Sequence, residues 1–107
     1  MNSTIVLEDG KSIKIPKKVI ESKQIGNILI VLTDSDVESQ FNNENVYGYD
    51  LSGKELWQIK ELNLFHERHD YTGIYIIDSE LYIYNKCGVE VKIVAETGEV
   101  LSTELIK

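Results

Sequence analysis

Short stretches in which every second residue is apolar recur along this chain, and turn residues separate them. In the clearest stretch, Val89, Val91 and Ile93 alternate with Glu90 and Lys92. Because side chains point to opposite faces of a β-strand in turn, this period places the three aliphatic residues on one face. Turn residues recur roughly every 8–12 positions, which is typical of an all-β chain. The sequence therefore predicts an all-β fold.

Ten strands follow from this pattern. They are predicted over residues 3–8, 11–15, 18–23, 27–33, 45–50, 54–60, 73–78, 80–85, 89–95 and 99–105. Asp9-Gly10 gives the strongest hairpin signal, because a type I′ turn needs positive φ at both central residues. Ser52-Gly53 marks a later turn.

A helix competes with the strand predicted over 54–60. Ser52–Glu55 fits a capping box, and residues 56–69 contain neither Gly nor Pro. The apolar residues of this segment nevertheless fall all around a helical wheel, whereas Trp57 and Ile59 fit one face of a strand. We favour a strand followed by a loop over 54–69 and expect Trp57 in the core, but the helix stays open as an alternative.

The length of 107 residues indicates one domain, residues 1–107, with a single core. Sheets made of such short strands must cover their apolar faces, and the simplest way is to pack one sheet on another. The expected architecture is an antiparallel β-sandwich or an open, propeller-like pair of sheets.

The chain also contains a weak internal repeat. Residues 46–57 form one unit, and residues 91–102 form a second unit 45 positions later. The first unit resembles the repeat of quinoprotein-type β-propellers, in which an apolar strand ends in Asp, turns through Ser/Thr-Gly-Lys and continues toward Trp. The matching residues are Asp50, Ser52, Gly53, Lys54 and Trp57. The second unit keeps Thr97 and Gly98 but has Ala95 for the Asp and Ser102 for the Trp.

The resemblance implies blade-like sheets, but two units are too few for a propeller. A ring needs about four to eight blades. Without a closed ring there is no central channel to hold a quinone, so no cofactor is expected.

The charge of the chain restricts its partners. A formal net charge of −7 repels nucleic acid and anionic membranes, which need clustered Lys and Arg, and attracts basic proteins. The longest purely apolar run, Ile28 to Leu32, is far too short to span a bilayer. Cys87 is the only cysteine, and residues 1–9 do not form a signal peptide, so we expect a cytoplasmic protein.

No strong catalytic or metal-binding motif is present. His66 and His69 lack further ligands at a zinc-site spacing, so we expect them to bind no metal. The acidic run that begins at Asp34 lacks the Gly and Glu of a calcium-binding loop. Cys87 follows Lys86 in a turn, without a recognisable catalytic partner. We therefore predict a protein that is not an enzyme.

Two long irregular segments, over 34–44 and 61–72, are the predicted binding regions, because long loops in small domains are commonly functional. They concentrate acids around isolated aromatic residues, as in an interface with aromatic anchors and a charged rim. The predicted partner-binding residues are Asp34, Asp36, Glu38, Phe41, Glu44, Glu61, Glu67, Asp70 and Tyr71. A second predicted surface is a tyrosine face formed by Tyr47, Tyr49, Tyr82 and Tyr84.

These features predict a non-catalytic, acidic binding protein. In general character it is similar to the small immunity proteins of bacterial contact-dependent inhibition systems. That resemblance implies a cytoplasmic inhibitor of a basic, nuclease-type toxin, whose cationic site the acids would complement. The alternative is an interaction or structural module built from propeller-like repeats, with no inhibitory role. An enzyme or small-ligand carrier is a third class, and a deep pocket with converging polar groups would indicate it.

Overall fold

A computed structural model describes residues 3–33, 45–59, 71–85 and 88–105 of the chain. All ten predicted strands are present in this part. They are β1 (Ser3–Val6), β2 (Ser12–Ile15), β3 (Val19–Ile25), β4 (Ile28–Thr33), β5 (Val46–Asp50), β6 (Glu55–Gln58), β7 (Tyr71–Ile77), β8 (Glu80–Asn85), β9 (Val89–Ile93) and β10 (Val100–Leu105). The described residues contain no helix, so the prediction of an all-β fold is confirmed.

The strands form three antiparallel sheets. Strands β1 and β2 pair as a two-stranded hairpin, β3 to β6 form the first sheet, and β7 to β10 form the second sheet. Within each four-stranded sheet, strands that are neighbours in sequence are neighbours in space. The sandwich-like arrangement agrees with the predicted architecture.

Strand β4 explains how the three sheets stack. All six of its residues are buried, because it is an uninterrupted apolar run and not an alternating one. Ile28, Ile30 and Leu32 join the larger core cluster, which contains residues of both four-stranded sheets. Leu29 and Val31 join a smaller cluster with residues of the hairpin. The first sheet is therefore the middle layer, with the hairpin on one face and the second sheet on the other.

Trp57 in β6 connects the two four-stranded sheets and is 8% exposed, as expected for a core residue. Its indole Nε1 donates a hydrogen bond of 2.7 Å to the backbone oxygen of Ala95, in the turn between β9 and β10. The ring packs against Gly48 of its own sheet and Gly98 of the second sheet. A Cβ atom added at Gly98 would lie 2.6 Å from the ring. The indole thus fits only where two glycines leave room for it.

The two units of the internal repeat lie at corresponding positions of the two sheets. Each unit spans the last two strands of its sheet, β5–β6 or β9–β10. In the first unit, the Asp50 carboxylate accepts hydrogen bonds from the Ser52 hydroxyl and from the backbone N–H groups of Ser52 and Lys54. These hydrogen bonds lower the pKa of the Asp50 carboxyl, and the bond from the Ser52 hydroxyl has the largest effect. The carboxylate therefore closes the first turn, and Ala95 cannot do the same in the second.

The competing helix is absent from the described residues 54–59. Residues 55–58 form strand β6, and β6 pairs with β5. The rest of the segment, residues 60–69, lies outside the described residues. None of the described residues forms a helix that is long and apolar enough to cross a membrane.

Candidate interaction surfaces

Most of the predicted partner-binding residues lie outside the described part of the chain. They are Asp34, Asp36, Glu38, Phe41, Glu44, Glu61, Glu67 and Asp70. The ninth, Tyr71, begins β7 and is only 3% exposed. Its side chain belongs to the larger core cluster, and burial raises its pKa to about 12. The prediction of Tyr71 as an exposed anchor was wrong, because its ring fills the space between the sheets.

The described residues that flank the two long segments meet at one end of the sandwich. Asn45, which precedes β5, is 1% exposed and connects three strands. Its side-chain amide donates to the backbone oxygens of Thr33 and Tyr71, both at 3.0 Å. Its carbonyl oxygen accepts from the backbone N–H of Tyr71 at 2.9 Å. Asn45 thus binds the backbone of β7 almost as a neighbouring strand would.

Ile59 completes this junction. Its backbone N–H donates to the oxygen of Val46, the residue after Asn45, at 2.9 Å. Thr33 and Asn45 flank residues 34–44. Ile59 and Tyr71 flank residues 60–70, which include all of the predicted segment 61–72 except its last two residues, 71 and 72, with which β7 begins. The segments that carry the predicted acids therefore leave and re-enter the fold at one end of the sandwich, not at opposite ends.

The two pairs of tyrosines do not form one face. Tyr49 is 2% exposed in the smaller cluster beneath the hairpin, and Tyr47 packs against that cluster. Tyr82 and Tyr84 alternate on β8 with Leu81 and Ile83, which are buried in the larger core cluster. The pairs therefore lie on different sheets, on the two faces that point away from the larger core cluster, so the predicted shared face was wrong. Alternation assigns a residue to one of two faces but cannot say which layer lies beyond that face.

On the covered face, the outer side of the first sheet beneath the hairpin, a lysine is held among aromatic rings. Lys17, just after β2, donates to the Tyr49 hydroxyl at 2.7 Å and to Glu55 at 3.0 Å. Its ammonium nitrogen lies 4.4 Å from the centre of the Tyr47 ring, within the range of a cation–π contact. Burial alone would lower the pKa of Lys17, but the hydrogen bonds to Tyr49 and Glu55 outweigh it and raise the pKa.

The open face is the outer side of the second sheet, and no layer of the described structure covers it. The pairing register of β7 to β10 places two aromatic and charged rows across it. Its residues are Tyr75, Ile77, Glu80, Tyr82, Tyr84, Glu90, Lys92, Ser102 and Glu104. Tyr75 is 49% exposed and Ile77 is 54% exposed. A shallow depression of about 340 Å³ runs across this face between Ile77 and Glu104.

In one part of the open face, the charged side chains are bonded to each other. Lys92 donates to Glu80 at 2.8 Å, and the Tyr82 hydroxyl donates to the other oxygen of Glu80 at 3.0 Å. Both hydrogen bonds lower the pKa of Glu80, and the bond from Lys92 has the larger effect. The bond to Glu80 raises the pKa of Lys92. This trio contains the same three residue types as Lys17, Tyr49 and Glu55. The two Lys–Glu pairs are similarly exposed, but Tyr49 is buried whereas Tyr82 is only half-buried.

The other charged part of the open face is a pair of like charges. Glu90 in β9 lies directly opposite Glu104 in β10, and Tyr84 lies opposite Glu90 on the other side. Directly opposite residues have Cβ atoms about 5 Å apart, and like charges at such positions are destabilising. Within the described part of the chain, neither carboxylate forms an ion pair or a side-chain hydrogen bond.

The sequence showed that Glu90 lies on the polar side of β9, but not that Glu104 faces it. That pairing depends on an irregularity of register between Val100 and Ser102 in β10, which shifts the strand relative to β9. A one-residue shift reverses the face of every later side chain, and such irregularities are not encoded in a simple pattern. Tyr75 was missed as well, although its place between Ile74 and Ile76 was a usable signal.

A larger opening lies at the turn end of the sandwich, opposite the junction at Asn45. It has a volume of about 540 Å³, and its lining includes Ile25, Asn27 and Leu101. Its lining also includes Glu80 and Lys92, which are bonded to each other. No three potential ligands of a metal ion come together among the described residues, and His66 and His69 lie outside them.

Comparison with known proteins identifies a family. The sequence model of a protein family described as a domain of unknown function, DUF7957, matches residues 2–105. The chain belongs to this family. No curated protein and no solved structure matches the chain. The match covers every described strand, so the sandwich, the junction at Asn45 and the open face all lie within the family domain.

Proposed function

We propose that this member of the DUF7957 family is a non-catalytic, acidic protein that binds a basic protein partner. The specific role we propose is that of a cytoplasmic immunity protein that neutralises a nuclease-type toxin. Nuclease active sites are cationic because they bind phosphates, so an acidic surface that occupies such a site blocks it without any chemistry of its own.

The observation that carries the proposal is the junction at Asn45. The segments whose flanking residues meet there, 34–44 and 60–70, contain seven of the eighteen acidic residues of the chain and two of the eleven Lys and Arg residues. Because the residues that flank both segments meet at the Asn45 junction, we propose that the acids of the two segments act on the same partner surface. Clustered charge raises the rate of encounter with an oppositely charged protein, and salt weakens this effect.

The test uses the product of the neighbouring gene, if that gene encodes a large secreted protein with a basic C-terminal domain. The purified C-terminal domain is immobilised, and association and dissociation rates are measured at several salt concentrations. We expect a triple variant, Asp34→Lys, Asp36→Lys and Glu67→Lys, to slow association by about tenfold or more at low salt. Nuclease activity of the toxin domain should fall in proportion to the complex formed.

The control is a second triple variant with the same change in total charge at the opposite end of the fold: Asp78→Lys, Glu96→Lys and Glu99→Lys. All three residues are exposed, at or next to turns. An electrostatic interface on the long segments requires this control to bind nearly as fast as the unmodified chain. Binding rates that change neither with salt nor in either triple variant would exclude the electrostatic mechanism. Tight binding without loss of nuclease activity would favour an interaction module with no inhibitory role.

A further inference from the structure

We infer that the open face is a second contact surface, which receives an extended, arginine- or lysine-bearing segment of a protein partner. The inference rests on the proposed function in one respect, since both require a cationic protein. It assigns a different part of the chain to the contact, centred on Tyr84, Glu90 and Glu104 and bordered by Tyr75 and Ile77.

The first argument is that the face has the composition of an interface and that none of the described residues covers it. Tyr75 and Ile77 are about half exposed, and Tyr82 and Tyr84 are partly exposed on the adjacent strand. Large aromatic residues surrounded by polar groups are the composition of protein-binding surfaces. The corresponding outer face of the first sheet is buried by a hairpin of the same chain. A sheet of this kind can therefore accept another β-layer on its outer side.

The second argument is the sign of the charge. The open face has three glutamates and one lysine, and the lysine is bonded to Glu80. Glu90 and Glu104 lie opposite each other, and no lysine or arginine of the described residues forms an ion pair with either carboxylate. A guanidinium or ammonium group placed between these carboxylates would remove the like-charge repulsion and form charge-assisted hydrogen bonds. Arginine suits the site particularly well, because its planar group can contact two carboxylates and also stack on Tyr84.

The third argument is that the chain contains an example of this chemistry. On the covered face, Lys17 reaches from outside the first sheet to Glu55 and to the rings of Tyr47 and Tyr49. There the hairpin supplies both the covering layer and the cation. On the open face, the aromatic rings and carboxylates are present, and we assign the layer and the cation to the partner.

The charge of the chain argues against a second copy as the occupant. Two identical open faces would bring Glu80, Glu90 and Glu104 of each copy together, and the whole chain has a net charge of −7. Like charges across an interface cost several kcal/mol and suppress that pairing. The same sign excludes nucleic acid, whose phosphates such a face repels.

The test is a titration of the full isotope-labelled chain, followed by NMR, with a short synthetic peptide in which arginine alternates with threonine. The control peptide has citrulline, which has the shape of arginine without its charge. We expect the arginine peptide to shift the resonances of Tyr75, Tyr84, Glu90 and Glu104, with little change at Tyr47. The citrulline peptide should bind at least about tenfold more weakly.

The decisive variant is the double substitution Glu90→Lys and Glu104→Lys. It replaces one like-charge pair with another, so the cross-strand repulsion and the fold are preserved, and circular dichroism checks this. The matched control is Glu96→Lys with Glu99→Lys, on the turn beside β10. We expect the first double variant to weaken peptide binding by at least about tenfold and the second to change it by less than about twofold.

Several outcomes would overturn the inference. They are equal binding of both peptides, shifts confined to residues 34–44 and 60–70, or unchanged binding by the Glu90 and Glu104 variant. Concentration-dependent shifts of Tyr75 and Tyr84 without peptide would instead assign the face to a second copy. The toxin experiment, repeated with the Glu90 and Glu104 variant, distinguishes failure of one proposal from failure of the other. If only the Asp34, Asp36 and Glu67 variant loses binding, the proposed function stands and the open face is excluded. If only the Glu90 and Glu104 variant loses binding, the open face alone is retained.

Discussion

The faces of the two four-stranded sheets that point away from their shared core contain the same residue types in different surroundings. On the covered face, Tyr49 and Lys17 form a hydrogen-bonded clamp beneath the hairpin, and Tyr49 is 2% exposed. On the open face, Tyr82 and Lys92 form a similar group with Glu80 at the surface. The difference comes from the hairpin, which precedes the first sheet in the chain and covers it, whereas none of the described residues covers the second sheet in the same way. Tyrosine, glutamate and lysine on a strand therefore do not by themselves distinguish a structural contact from a binding surface.

The largest expected effect comes from truncating one tyrosine on each face. Tyr49→Ala should cost roughly 3–5 kcal/mol, because it leaves a cavity beneath the hairpin and removes a partner of Lys17. Tyr75→Ala, on the open face, should cost at most about 1 kcal/mol, because half of that side chain is already exposed to solvent. Denaturant unfolding of both variants measures the difference. Equal losses would mean that the open face is as much a part of the packed structure as the covered one.

The sequence predicted the strands and turns better than it predicted how the sheets stack. The strands and turns were predictable because each depends on a local pattern, such as the alternation in β9 or the Gly that permits positive φ at position 53. The burial of Trp57 was also predictable from its neighbour Ile59. The order of the layers was not, because it depends on where the hairpin folds back, a contact between distant parts of the chain.

The candidate site was predictable only in part for the same reason. The junction at Asn45 depends on a side chain that reaches a strand 26 residues later, and no local pattern marks such a contact. The opposition of Glu90 and Glu104 depends on an irregularity of register. Tyr71 was misassigned because it directly follows a polar run, His66 to Asp70, although it begins a buried strand.

The second prediction compares the equivalent turns of the two sheets. Gly53 and Gly98 both have positive φ, of 95° and 75°, so alanine at either position is strained by about 1–2 kcal/mol. A Cβ at Gly53 meets only Ile13, at 4.0 Å, whereas at Gly98 it would meet the Trp57 ring at 2.6 Å. Gly98→Ala should therefore be less stable than Gly53→Ala by a further 1–3 kcal/mol or so, the usual cost of overpacking.

Thermal unfolding of these two glycine variants, together with Trp57→Ala, separates strain from the clash. In the background of Trp57→Ala, the difference between the two glycine substitutions should largely disappear, because the ring that causes it is gone. A difference that persists would show that the two turns differ for a reason other than the Trp57 ring.

The smallest expected effect concerns the tyrosine that lies between the two sheets and contributes to neither outer face. Burial raises the pKa of Tyr71 from 10.0 to about 12, so the folded state holds the phenolic proton more tightly than the unfolded state. The stability that results is fully present below pH 10 and is lost as the pH rises from 10 toward 12. At pH 11 the loss from this residue is about 1 kcal/mol. Tyr71→Phe should remove this loss while changing stability little at neutral pH, since the ring that fills the core is retained.

The measurement is the free energy of unfolding of both proteins at pH 7 and pH 11, because other tyrosines and lysines titrate in the same range and only the difference isolates Tyr71. If the two proteins lose the same stability on going to pH 11, the phenol of Tyr71 must reach water, and Tyr71 would again be a candidate anchor for a partner.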